Sequence, residues 1–293
     1  MKSSDESLLS TVPPIRRARG YRLYTGDGRR YLDCWQDDGG AVLGHRAGSY
    51  RQAFLNKAAR GLLLPIPGPE HGKLEKAVRA LWRSWTSDLA HLDRRVHLFR
   101  NRERMKMALG DAFGAVPRFD PLAEPEAPAD FRLVVARPFM PVYAGMNDWI
   151  EPVLPLARAI APAVLLGPVG TAVDSATTSR LEGDYVPAGM LAALSRSVYD
   201  LLRVQRAGVH PGAHFAGELA ETGVWTAHGP WLVPAIGGAE PRYRRLFELH
   251  LAEGVLINPE PGGTSIVPAE SSAGERAWMR TAALRAREEG LVQ

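Results

Sequence analysis

Cysteine is all but missing. Cys34 stands alone among 293 residues, so the chain holds no internal disulfide framework and is expected in a reducing, cytoplasmic setting. Lysine is scarce as well: arginine outnumbers it 31 to 5, and none follows Lys106. No apolar run approaches the length of a membrane span, about 20 residues. The polar start, MKSSDES, lacks the basic-then-apolar order of a signal peptide, and no membrane association is expected. A concentrated basic face is missing too. The net charge is only +4, and the clusters Arg16-Arg17-Arg19, Arg94-Arg95 and Arg242-Arg244-Arg245 have no aromatic platforms between them. No nucleic-acid partner is expected.

With 45% hydrophobic and 23% charged residues, the chain has an ordinary globular composition and the length for one large domain or two smaller ones. YRLYTGDGRRYLDCW reads as two short strands flanking Gly26-Asp27-Gly28. GSYRQAFLNKAARG reads as a helix with a capping box of Ser49 and Gln52. In EHGKLEKAVRALWRSW the apolar Leu74, Ala77, Val78, Leu81 and Trp82 recur at helical spacing. A strand in RRVHLF and a helix in RERMKMALGDAFG follow. PRFDPLAEPEAPAD, with four prolines and four acids, reads as an exposed loop.

FRLVVARP then reads as a strand and NDWIEPVLPLARAIA as a helix. AVLLGPVGT, Ala163 to Thr171, reads as a buried strand running into a Gly-Pro turn. Ligands of open α/β sheets gather at the carboxyl ends of the strands, so Gly167 and Pro168 are expected where chemistry takes place. Neither has a side chain that can do any. The long helix PAGMLAALSRSVYDLLRVQRAG is followed by strands in VWTAHG and WLVPAIGG, a helix in PRYRRLFELHLAEG, and strands in VLIN and TSIVP. A closing helix is capped by Ser272 with Glu275 three residues on. This order predicts an α/β sheet in the middle of the chain and an α+β unit at its end.

Few residues carry a chemical signal of their own. In HPGAHFAGELAE, His210, His214 and Glu218 lie four residues apart and would share one face of a helix opened by Pro211, as three metal ligands. His210 falls at or before the cap, and Gly212 and Gly217 weaken the helix, so no metal is expected. Cys34 and His45 together suggest a nucleophile and base, yet the context favours a buried structural cysteine and a turn-stabilising histidine. Asp37-Asp38 and the acids from Asp120 to Asp130 read as solvated. Arg102 and Arg104 stand beside a helix start, where they would hold an anion.

In order along the chain, several of these pieces resemble class III aminotransferases, enzymes of fold type I that use pyridoxal phosphate (PLP). YTGDGRRYLDCWQDDGGAVLGHRAGSYRQAFLNKAARG is similar to their N-terminal signature, with Y-L-D and then L-G-H before a helix. VHLFRNRERMKMAL resembles their strand, Gly-Ser-x-Ala phosphate turn and helix, while RLVVARP resembles the strand ending in Glu-Pro. AVLLGPVGT is similar to the strand ending Asp-Glu-Val, and LFELHLAEGVLINPEPGG to the C-terminal Gly-Val-x-x-x-Pro strand. The resemblance implies a reduced, central, mostly parallel sheet with a smaller α+β domain. It would divide the chain into an N-terminal segment at 1–62 that packs with the small domain, a central domain at 63–207, and the small domain at 208–293.

The same resemblance implies losses. The aspartate that pairs with the pyridine nitrogen matches Gly167, and the following glutamate matches Pro168. The Schiff-base lysine belongs between this strand and the Gly-x-x-Pro segment Gly183–Pro187, where AVDSATTSRLE holds no lysine. The phosphate turn has become Asn101-Arg102-Glu103-Arg104, the segment carrying the ring-stacking aromatic is replaced by the Pro-rich loop, and the Glu of Glu-Pro is Arg137. The expectation is a non-catalytic pseudoenzyme without PLP, acting through a protein partner or a small anionic ligand held by Arg102, Arg104, His45 and Arg137. An aminotransferase- or aminomutase-type enzyme with a divergent site, or a different chemistry in the old cleft, remains the alternative. Relatives are dimers through the N-terminal strip, so a homodimer anchored by Trp35 is expected.

Overall fold

Gly26-Asp27-Gly28 turns the chain between two antiparallel strands, β2 (Arg22–Thr25) and β3 (Arg30–Asp33), and β1 (Ile15–Arg19) extends this hairpin on its outer side. The computed structural model describes residues 7–45, 48–86, 93–114, 116–122, 133–142, 148–169, 181–236 and 240–292. The chain divides into two compact units, one of residues 1–46 with 209–293, the other of residues 47–208.

In the first unit the two ends of the sequence make one sheet. β3 pairs in parallel with β11 (Val255–Leu256), giving the order β1-β2-β3-β11. A second sheet has the order β12-β10-β9, from Trp225–His228 (β9), Trp231–Pro234 (β10) and Ser265–Ile266 (β12). Helices α5 (Ala213–Ala220), α6 (Glu240–Ala252) and α7 (Ala273–Glu288) complete the unit. Leu32, Cys34, Phe215, Trp225, Tyr243 and Met279 share its apolar core. Burial pushes the Cys34 thiol well up, and its Sγ lies 3.8 Å from Met279 Sδ, so this cysteine is structural.

The second unit is a five-stranded sheet in the order β4-β8-β7-β6-β5. Its strands are β4 (Arg94–Phe99), β5 (Arg118–Phe119), β6 (Leu133–Ala136), β7 (Trp149–Pro152) and β8 (Ala163–Pro168). α3 (Arg102–Phe113) follows β4, while α1 (Gly48–Ala58) and α2 (Pro69–Trp85) pack on the long α4 (Ala188–Arg206). The fold class matches expectation, a reduced α/β unit and a smaller α+β unit, but the central sheet is mixed, with two parallel and two antiparallel pairings.

Four local expectations are corrected. The first boundary falls at 46 rather than 62, because α1 belongs with α4: Phe54 lies against Gly189, and Ser49 Oγ donates to the Asp200 carboxylate. That bond takes the Ser49 hydroxyl away from the expected capping box, and Gln52 turns to Asn56. The helix expected in NDWIEPVLPLARAIA is instead β7 followed by irregular chain. Pro152 and Pro155 deny donors to a helix, while Trp149 and Ile150 suit a buried strand.

The fourth correction concerns β8. It runs antiparallel to both β4 and β7, so Gly167 and Pro168 pair with Arg95 and Arg94, at the start of β4. The end of β8 therefore lies at the opposite edge from the carboxyl ends of the parallel strands. Gly167 has a packing reason instead: a Cβ there would sit 2.5 Å from the Trp149 ring. The equivalence of Gly167 and Pro168 with a cofactor-binding pair of acids does not stand.

Candidate functional site

The parallel strands β4, β5, β6 and β7 send their carboxyl ends to one edge, the place where such sheets collect ligands. Beyond β4 the chain reaches Arg100, then Asn101, whose side chain caps α3 by accepting from the Arg104 N–H at 2.8 Å. Gly183 crosses Leu98 so closely that a Cβ would meet the Leu98 carbonyl at 2.7 Å, and the Asp184 N–H donates to that same carbonyl. This close approach puts a carboxylate beside the helix start.

Ion pairs fill the edge. Arg102 Nε lies 2.6 Å from Glu151 Oε1, and its Nη2 donates to Glu151 Oε2 at 2.9 Å. Arg104 Nε is 3.3 Å from Asp184 Oδ1, while the Arg100 N–H donates to Asp184 Oδ2 at 3.1 Å. Arg118 lies between Glu151 and Asp120, at 3.5 and 3.6 Å. Arg137, just past β6, is buried and donates to the equally buried Asp120. A cavity of about 560 Å³ adjoins, lined by Pro65, Arg100, Gly183, Asp184, Tyr185 and Pro187.

Of the residues singled out in the sequence, Arg102, Arg104 and Arg137 thus share one edge. The carboxylates that hold them, Asp120, Glu151 and Asp184, were not foreseen as part of it; Asp120 is 6% exposed rather than solvated. His45 belongs to the first unit, where its Nε2 lies 2.6 Å from Asp33 Oδ2. That bond fixes a turn: Asp33 Oδ1 also accepts from the N–H groups of Trp35 and Gln36. Residues Gln36, Asp37 and Asp38 all take positive φ there, and Asp38 accepts from Asn258 Nδ2 at 2.6 Å rather than facing only water. Trp35 packs in part against the core of its own unit.

The metal constellation comes apart. α5 begins at Ala213, leaving His210 buried before it with Nδ1 accepting from the Gly212 N–H, while His214 stands outside beside Glu218. No metal-binding group of three or more such residues occurs among the described residues.

Comparison with known proteins gives the architecture a lineage. No family model matches the chain. It is similar to an omega-transaminase from Sphaerobacter thermophilus, at 14% identity and a TM-score of 0.64, covering 94% of this chain and 91% of that one. It is similar also to a glutamate-1-semialdehyde aminomutase from Pseudomonas aeruginosa, at 14% identity and a TM-score of 0.61, covering 95% and 88%. These likenesses show the fold of class III aminotransferases. In sequence, a protein of Treponema pallidum described only as uncharacterized is 30% identical over 299 residues, covering 92% of this chain and 93% of its own. The chain belongs with that Treponema pallidum protein to one family, built on fold type I of the PLP-dependent transferases.

Proposed function

We propose that this chain is an aminotransferase-fold protein that acts by binding and performs no Schiff-base chemistry. The observation that carries this reading is where its lysines lie. A Schiff base needs a lysine amine at the ligand edge of the sheet, yet no lysine follows Lys106. The four lysines among the described residues are all on helices α1 to α3. Lys57 and Lys73 both hold Glu70, at 2.6 and 2.9 Å, Lys106 lies 3.3 Å from Glu103, and Lys76 is exposed on α2. The enzyme reading draws on the similar structures alone, one of which is a transaminase with PLP bound. Incubation with PLP followed by borohydride is expected to leave no pyridoxyl peptide by mass spectrometry. A modified Lys57, Lys73, Lys76 or Lys106 would return the chain to the enzymes.

A binding protein needs a surface, and the linker between α1 and α2 supplies an apolar one. Leu63, Leu64 and Ile66 are 51%, 65% and 48% exposed, side by side in a segment stiffened by Pro65 and Pro67. This strip suits the expected homodimer better than Trp35 does, because Trp35 already spends part of its surface on its own core. Light scattering should give twice the 32.0 kDa chain mass. Leu64→Asp should drive it toward monomer, and Trp35→Ala should lower stability first. A monomer at high protein concentration would remove the dimer.

A further inference from the structure

We propose that Glu151 and Asp184 take the place of a bound anion at the carboxyl edge, so that this chain is complete without PLP or any other phosphate. The proposal rests on the reading that no Schiff base forms, and extends it to the non-covalent hold on the cofactor. A phosphate monoester would bring a charge of about −1.5 to −2 and would need free N–H groups and cations to receive it. Here the chain meets its own cations with its own acids. Glu151 and Asp184 bring two negative charges, and they already hold Arg102 at 2.6 Å and Arg104 at 3.3 Å.

Two backbone donors of this turn are committed in the same way. The Arg104 N–H goes to the Asn101 side chain and the Arg100 N–H to Asp184. Glu151 and Asp184 are only 13% and 19% exposed, so water screens these pairs incompletely. An incoming dianion would have to unseat two carboxylates while facing their charge. The donor set of this edge does not fit the phosphate of PLP.

The test compares melting temperatures in phosphate and in chloride at equal ionic strength, and with PLP added. The wild-type chain should shift by less than about 1 °C in either. Glu151→Gln strands Arg102 and leaves Arg118 with Asp120 alone, and Asp184→Asn strands Arg104 and removes the carboxylate that faces Arg100. Each should melt about 3–6 °C lower in chloride, and phosphate should recover at least half of that loss. Wild-type stabilisation by phosphate or PLP would overturn the proposal, as would variants that phosphate does not rescue. Should a variant fail to fold, calorimetry of the wild-type chain with inorganic phosphate still decides, because measurable binding there is the opposite of what is proposed. A borohydride-fixed adduct would instead overturn the functional reading, so the two failures are distinct.

Discussion

Replacing Glu275 by glutamine is expected to cost the first unit about 3 kcal/mol. Its carboxylate has no exposed surface and receives Arg22 bidentately, from Nε and Nη2 at 2.8 Å each. Arg30 Nη2 approaches to 3.6 Å, and the Ser272 N–H donates to the same carboxylate at 2.8 Å. Burial alone would push this acid up, but the bonds from Arg22 and Ser272 outweigh it and hold it at about 2. Glutamine keeps the shape, loses the charge, and turns an amide donor toward a guanidinium that is itself all donor. Arg22 remains 21% exposed, so water repairs part of the loss, which puts the cost at the low end for a broken buried pair. Arg22 sits in β2 and Glu275 in α7, so the bond joins the two ends of the chain. Denaturant titration followed by far-ultraviolet circular dichroism should show the drop. A change under about 1 kcal/mol would mean the pair is only surface decoration.

Half of that site was legible in the sequence, and the reason is distance along the chain. Ser272 and Glu275 form a capping box three residues apart, and both halves of it are present. Its partner Arg22 lies 253 residues away, where no local pattern connects them. The same contrast governs the fold. α2 and α7 were readable because helical spacing and caps are local properties. The direction of β8 was not, because four apolar residues look alike whichever way a strand runs. The one sign available was Gly167 itself, since a glycine inside a strand marks a close neighbour, here Trp149. Arg102 and Arg104 were rightly seen beside a helix start. The acids that hold them come 49 and 80 residues later, Glu151 inside a segment that reads as a helix and Asp184 after a stretch with no pattern.

Lowering the pH from 6.5 toward 4 is expected to erode both units, through histidines that folding keeps neutral. Burial pushes His97, His210 and His250 down to about 4. His97 donates from Nδ1 to the Leu181 carbonyl, with Trp149 beside its ring and Arg95 opposing a second charge. His250 bonds the Leu246 carbonyl through Nδ1 while its ring meets Trp225 edge-on, and Nε2 has no partner among the described residues. His210 uses Nδ1 as an acceptor, a role that protonation abolishes. In the unfolded chain each of them takes a proton near 6.5. Between that pH and about 4 the unfolded state binds more protons, so stability falls as pH falls. The sign is fixed: their contribution is whole above 6.5 and is lost as pH drops through the folded value. Each histidine sets a slope of about 1.4 kcal/mol per pH unit across this window, so the first unit, which holds His210 and His250, loses about 3 kcal/mol by pH 5.5. Glu275 adds its own loss lower down, between 4.5 and about 2. Denaturant midpoints at pH 7.5, 6.5, 5.5 and 4.5 should trace the decline, and His250→Leu should halve its slope in the first unit. Ring protons of His97, His210 and His250 titrating near 6.5 in the folded chain would contradict it, because a group that protonates equally in both states cannot make stability depend on pH.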